Sequence, residues 1–201
     1  MQIEHLLTKD NCTIVADYYV GTNKSGILLL HMMPANRTSW YAFATKLEAI
    51  GFHVLAIDLR GHGQSTGGPN GYQEFSDREH QQSLLDIDSS IAFLRSKGIE
   101  KVHICGASLG ANLALQYAAK HPDIASVLLL SPGLDYHGIH TDIWIDTITL
   151  DQAVLLVASD DDVYSFTTVK MLFNHSLNLP KREVKLLTQA GHGTTMLEKN
   201  P

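Results

Sequence analysis

Cysteine is scarce in this chain. Cys12 and Cys105, far apart along 201 residues, are the only two, so no disulfide framework and no C-x-x-C metal or redox site is available. Cys105 lies within an apolar stretch, where a buried and inert thiol is expected. Positive charge is also in short supply. Lysine and arginine number 15 against 21 acidic residues, and the net charge of −6 is spread along the chain, leaving no basic patch for nucleic acid or anionic lipid. No apolar run approaches the roughly 18 residues of a membrane-spanning helix. The opening Met1-Gln2-Ile3-Glu4-His5 lacks both the basic start and the apolar core of a signal peptide, which predicts a cytoplasmic protein. Internal repeats, linkers and low-complexity segments are missing too. With 44% apolar and 18% charged residues the composition is that of an ordinary globular protein, and one domain over 1–201 is expected.

What is present centres on Val102-His103-Ile104-Cys105-Gly106-Ala107-Ser108-Leu109-Gly110-Ala111, an apolar strand, a G-x-S-x-G turn and the start of a helical run to Lys120. Such a sharp strand-to-helix turn lifts a serine hydroxyl out of a sheet, with glycines where a Cβ would clash. Ser108 is the serine so presented. Leu109 opens the helix, so its N–H points outward at a helix N-terminus, where a developing negative charge is favoured.

Around this stretch the pattern alternates strand and helix. Residues 3–7 and 13–19 read as an antiparallel hairpin at the sheet edge, and Ile27 to Leu30 is a short continuous apolar run typical of a buried strand. A helix follows, capped by Thr38 or Ser39, with Trp40, Phe43, Leu47 and Ile50 on one face and Gly51 as its stop. Phe52 to Ile57 is a strand leading into the glycine-rich turn Asp58-Leu59-Arg60-Gly61-His62-Gly63-Gln64-Ser65. Ser76-x-x-Glu79 is a capping box, after which Leu84, Ile87, Ile91 and Leu94 form a helical stripe. Strands at 124–130, 153–158 and 184–187 follow, with a helix over 165–175. Residues 131–150 lose periodicity and are too few for a separate lid domain. The reading is an α/β fold: a mostly parallel sheet of about seven to eight strands with helices on both faces.

A serine hydroxyl needs a base within hydrogen-bond reach and a third group to orient that base. Asp160, Asp161 and Asp162 follow one buried strand and His192 follows the next, giving the order Ser, Asp, His that accompanies G-x-S-x-G elbows. Three adjacent carboxylates cannot all approach one imidazole, so one acid is expected to dominate. At this point the sequence resembles the α/β-hydrolase superfamily, from His31-Met32-Met33-Pro34 through Asp58-x-Arg60-Gly61-His62-Gly63-x-Ser65 and the elbow to Gly191-His192-Gly193. The resemblance implies Ser108 as nucleophile, Asp162 as acid, with Asp161 the alternative, and His192 as base. It also likens His31 to Pro34 to the family's H-G-x-P oxyanion turn, with Met32 in the glycine's place, which makes the N–H of Met33 an oxyanion donor beside that of Leu109.

Other candidates have quieter readings. His31 and His62 are expected to hold their turns, since one base suffices, and Asp58 and Arg60 to tie the glycine-rich turn together. His137 and His140 with Asp135 and Asp142 lack the spacing of a metal site and are read as a solvated loop. Trp144 fits an acyl pocket and a core cap equally. The expected activity is hydrolysis of small carboxylic esters, of roughly two to six acyl carbons because no lid offers a wall to bury longer chains, with no metal or cofactor. A thioesterase or lysophospholipase would use the same residues, and a binding protein would keep the fold without turnover.

Overall fold

The computed structural model describes residues 1–199. Eight strands form one sheet: β1 (Gln2–Leu7), β2 (Thr13–Tyr19), β3 (Ser25–Leu30), β4 (His53–Ile57), β5 (Lys101–Ala107), β6 (Ile124–Leu130), β9 (Ala153–Ser159) and β10 (Arg182–Leu187), the two-residue strands β7 (Asp135–Tyr136) and β8 (Ile139–His140) pairing apart from it. The order across the sheet is β1-β2-β4-β3-β5-β6-β9-β10. β1 and β2 are antiparallel, as the alternating edge runs predict, and from β4 onward every pairing is parallel. All the parallel strands therefore open their C-terminal ends along the same margin.

The two-residue alternation of each strand sends its side chains to two cores. Leu28, Leu30, Leu55, Ile57 and Ile104 face the larger one, with α3 (Leu84–Ser96), α4 (Leu109–Lys120) and α6 (Val163–His175). Leu29, Val54, Ala56 and Cys105 face the other, with Trp40 and Ala44 at the start of α1 (Tyr41–Ala49) and Met196 of α7 (Thr195–Lys199). The stripe Ile87, Ile91 and Leu94 is buried as its spacing predicts.

Three local readings are corrected. The segment before α1 is a 3-10 turn, Arg37–Trp40, whose cap is Asn36, its side chain accepting from Thr38 N–H, so neither Thr38 nor Ser39 begins the helix. Ile50 lies past the last residue of α1, at its C-cap, and is 68% exposed instead of continuing the buried face. The Ser76 capping box forms, but on a separate short helix α2 (Asp77–Gln81) preceding α3. Residues 131–150 are also more regular than their lost periodicity suggests, since they hold the β7–β8 hairpin and α5 (Asp142–Ile145). His137 and Gly138 both take positive φ, 54° and 72°, as a two-residue hairpin turn requires.

Candidate active site

Ser108 sits between β5 and α4 at φ 53° and ψ −118°, a conformation unfavourable for any residue with a side chain and costing about 1–3 kcal/mol. Its surroundings hold it there. The Ser108 N–H donates to the Leu130 carbonyl at 2.8 Å, and its own carbonyl accepts from Ala111 and Asn112. The two motif glycines are required by close approach: a Cβ on Gly106 would lie 2.1 Å from the Gly110 carbonyl oxygen, and one on Gly110 would lie 2.4 Å from that of Leu30. At the helix start the Leu109 N–H has no acceptor among the described residues, and the Met33 N–H after β3 has none either. Met32, in the place of the family's glycine, does not take positive φ.

The β9–β10 register pairs Ser159 with Leu187, which sets residues 160–162 beside residues 189–192. Each aspartate then finds a different partner. Asp160 Oδ1 accepts the Gln189 N–H at 2.8 Å. Asp161 Oδ1 accepts the Ser159 hydroxyl at 2.5 Å and the Gly191 N–H at 3.1 Å. Asp162 Oδ2 meets His192 Nδ1 at 2.6 Å, while its Oδ1 accepts the Ser165 N–H and caps α6. Burial pushes the Asp162 carboxyl's pKa up, but the hydrogen bonds from His192 and Ser165 outweigh that and leave it below the usual value. Its carboxylate therefore faces the imidazole. The His192 side chain is 37% exposed, and among the described residues its Nε2 has no partner.

The histidine loop packs against the elbow. A Cβ on Gly193 would lie 3.5 Å from the Ala107 Cβ and 2.5 Å from the Met32 sulfur, so the space Gly193 leaves open is filled by Met32. The Gly193 N–H donates to Ser131 Oγ at 2.9 Å, tying the loop to the end of β6. Ser131, itself at φ 50°, was not singled out by sequence reasoning.

The other candidates lie elsewhere or are spent. His31 is fully buried, its Nδ1 bonded to the Met32 carbonyl and its Nε2 accepting the Leu59 N–H at 3.0 Å. His62 bonds the Arg60 carbonyl through Nδ1 and stacks on Tyr72 at 3.8 Å; burial, helped by the facing His31, pushes its pKa down to about 4. Asp58 accepts from the Arg37 N–H, the Arg37 guanidinium and the Gln64 N–H. Arg60 pairs with Asp10 and with the fully buried Asp86 of α3. These residues build the turn, as the sequence implies. His137 faces Asp77 and His140 faces Asp135, so the two histidines do not converge. Trp144 lies under Lys120 at the far end of α4 from Ser108, so it caps the core there.

Tyr136 was missed as well. Its hydroxyl faces the Ser108 side chain and bonds Ser165 Oγ at 3.4 Å. The one local signal was the two-residue turn His137-Gly138 behind it; nothing in the spacing says which way the tyrosine faces.

Known proteins resemble this chain in sequence and in fold. Lipase 1 of Psychrobacter immobilis is 30% identical over 142 residues, 69% of this chain and 41% of its own length. A monoacylglycerol lipase of Xenopus laevis is 33% identical over 126 residues, 57% of this chain and 32% of its own. The matches thus span less than half of these curated relatives. Among solved structures, an esterase of Pyrococcus furiosus superposes with a TM-score of 0.83 at 16% identity, over 98% of this chain and 86% of that one. The family model described as alpha/beta hydrolase fold matches residues 27–168, from β3 through the elbow into α6, and the chain belongs to that family.

Proposed function

We propose that this α/β hydrolase is a serine esterase acting on small carboxylic esters, with Ser108 as nucleophile, His192 as base and Asp162 as the group that orients it. Ser108 Oγ attacks the ester carbonyl as His192 takes its proton. The N–H groups of Leu109 and Met33 hold the oxyanion, and His192 returns the proton to the leaving alcohol, after which water repeats the cycle on the acyl-enzyme. The observation that carries this reading is the 2.6 Å Asp162–His192 pair on a loop packed against the elbow that presents Ser108. Lipases and an esterase among the similar proteins support ester chemistry. With no separate lid domain among the described residues, acyl chains of roughly two to six carbons are favoured, since each further CH₂ gains about 0.8 kcal/mol only where a wall buries it.

The test is labelling with a fluorophosphonate together with turnover of p-nitrophenyl esters of graded chain length. Wild type should label and Ser108→Ala should not, with kcat lower by about four to six orders of magnitude. Ser108→Ala activity above a tenth of wild type would overturn the assignment. A wild-type protein that neither labels nor turns over would be a binding protein on this fold.

A further inference from the structure

The segment after β6 returns to the mouth of the elbow and stops there. Its hairpin is bolted to the elbow helix by Asn112, which is fully buried: the Asn112 amide donates to the Ile139 carbonyl at 2.7 Å and its Oδ1 accepts the Gly133 N–H at 3.0 Å. Thr141 Oγ1 closes the base of the hairpin on the Gly133 carbonyl at 2.7 Å. A Cβ on Gly133 would sit 2.6 Å from the Tyr136 ring, and Tyr164 packs against that ring edge-on at 5.7 Å. The ring is thus fixed before any substrate arrives.

What the ring carries is a donor with little to do. The 3.4 Å contact to Ser165 Oγ is long for a bond between hydroxyls. Otherwise the phenol lies beside the Ser108 side chain and, through Ser165, whose N–H bonds Asp162 Oδ1 at 3.4 Å, beside the acid of the Asp162–His192 pair. Burial raises its pKa, so it stays protonated at neutral pH. Sheet order fixes its side of the nucleophile. Met33 follows β3 on one flank of β5, whereas Tyr136 follows β6 on the other, toward β9 and the Asp162–His192 pair. With the oxyanion held on the Met33 side, the alkoxy oxygen that His192 must protonate lies on the side of Tyr136.

We propose that Tyr136 donates a hydrogen bond to the leaving oxygen of the bound ester, making it a further catalytic residue that suits the site to esters of unactivated alcohols. The inference rests on the serine esterase reading. As the tetrahedral intermediate collapses, the bond from the carbonyl carbon to the alkoxy oxygen breaks, the acyl group stays on Ser108 Oγ, and the proton on His192 Nε2 passes to the departing oxygen. Tyr136 keeps its own proton and stabilises the charge that builds on that oxygen before the transfer is complete.

The experiment compares two acetates that share an acyl group, p-nitrophenyl acetate, whose phenolate leaves without a proton, and ethyl acetate, whose alkoxide does not. Tyr136→Phe keeps the ring and its packing, so its melting temperature should match wild type. Its kcat/KM should fall about thirtyfold on ethyl acetate and about threefold on p-nitrophenyl acetate, a tenfold change in their ratio. Equal losses on both esters would make Tyr136 a packing residue and overturn the proposal, as would no loss on either. Should the Phe variant not fold, 3-fluorotyrosine at 136, a stronger donor, should shift the ratio toward ethyl acetate; an unchanged ratio refutes the proposal. Ser108→Ala separates the two readings: activity surviving there removes the esterase assignment itself, whereas its loss beside an unchanged Tyr136→Phe ratio removes only this one.

Discussion

Two regions of the same sheet margin each carry an aspartate and a histidine, the glycine-rich turn after β4 and the paired loops after β9 and β10, and they do opposite things with them. In the turn after β4, Asp58 is fully buried and surrounded by donors from Arg37 and Gln64, and His62 is 3% exposed, stacked on Tyr72. In the loops after β9 and β10, Asp162 holds a histidine whose side chain is 37% exposed and whose second nitrogen has no partner among the described residues. A carboxylate in the interior held by three N–H donors is a strut, because those bonds must break before it can serve another partner. A carboxylate with one imidazole partner, and that imidazole open on its other side, can move a proton. The difference lies in spare valence and access; residue type is the same in both.

The largest expected effect tests the open side of that comparison. Asp162→Asn preserves shape but favours the wrong imidazole tautomer, so kcat should fall by about 10⁴ while the melting temperature hardly moves. Steady-state kinetics beside a thermal melt reads both, and retained activity would transfer the role to Asp161.

The buried side should behave in reverse. Asp58→Ala leaves the Arg37 guanidinium and two N–H groups short of their acceptor, a loss of about 3–5 kcal/mol, although Asp17 still reaches Arg37 Nε at 3.0 Å. Urea denaturation measures it, and a destabilisation under 1 kcal/mol would mean the strut is dispensable.

His62 sharpens the contrast through pH. Its folded pKa of about 4 is below the ordinary value near 6.5, so between these pH values the unfolded chain binds the proton and the folded one does not. Stability is therefore full above about pH 6.5 and declines as pH falls toward 4, by about 3 kcal/mol at most from this group. His62→Phe, which can keep the stack on Tyr72, should flatten the decline in melting temperature over that window; an identical decline would assign it to other groups.

The smallest effects concern the flanking acids. Asp160→Asn and Asp161→Asn each keep a side-chain oxygen for the N–H of Gln189 or Gly191, so activity should drop less than tenfold. A thousandfold loss at Asp161 would show that anchoring Gly191 matters as much as orienting the imidazole.

Much of this protein was legible in its residues. Strand alternation, the apolar runs and the glycines of the elbow are consequences of backbone sterics and of periodicity, which act over a few residues and so leave a local mark in the sequence; the choice of Asp162 over Asp161 beside Ser108 and His192 came from the resemblance to the α/β-hydrolase superfamily. The structural duty of His62 was also expected, since one base suffices, as was that of Asp58 in tying the glycine-rich turn together. Asn36 rather than Thr38 or Ser39 caps the turn before α1 because the chain tightens there into a 3-10 turn, and Ile50 is exposed because α1 ends one residue before it.

Tertiary structure alone decided the rest, because those features depend on partners far away in the chain. Three identical acids in a row acquire three different partners only once β10 lies in register against β9. Met32 can occupy a glycine's place because Gly193, 161 positions later, leaves room for its sulfur. Tyr136 faces Ser108 because Asn112, on the elbow helix, grips the hairpin from beneath. A residue's type and its immediate neighbours fix what its side chain is able to do; which atoms it meets is settled by packing between segments that the chain order keeps apart.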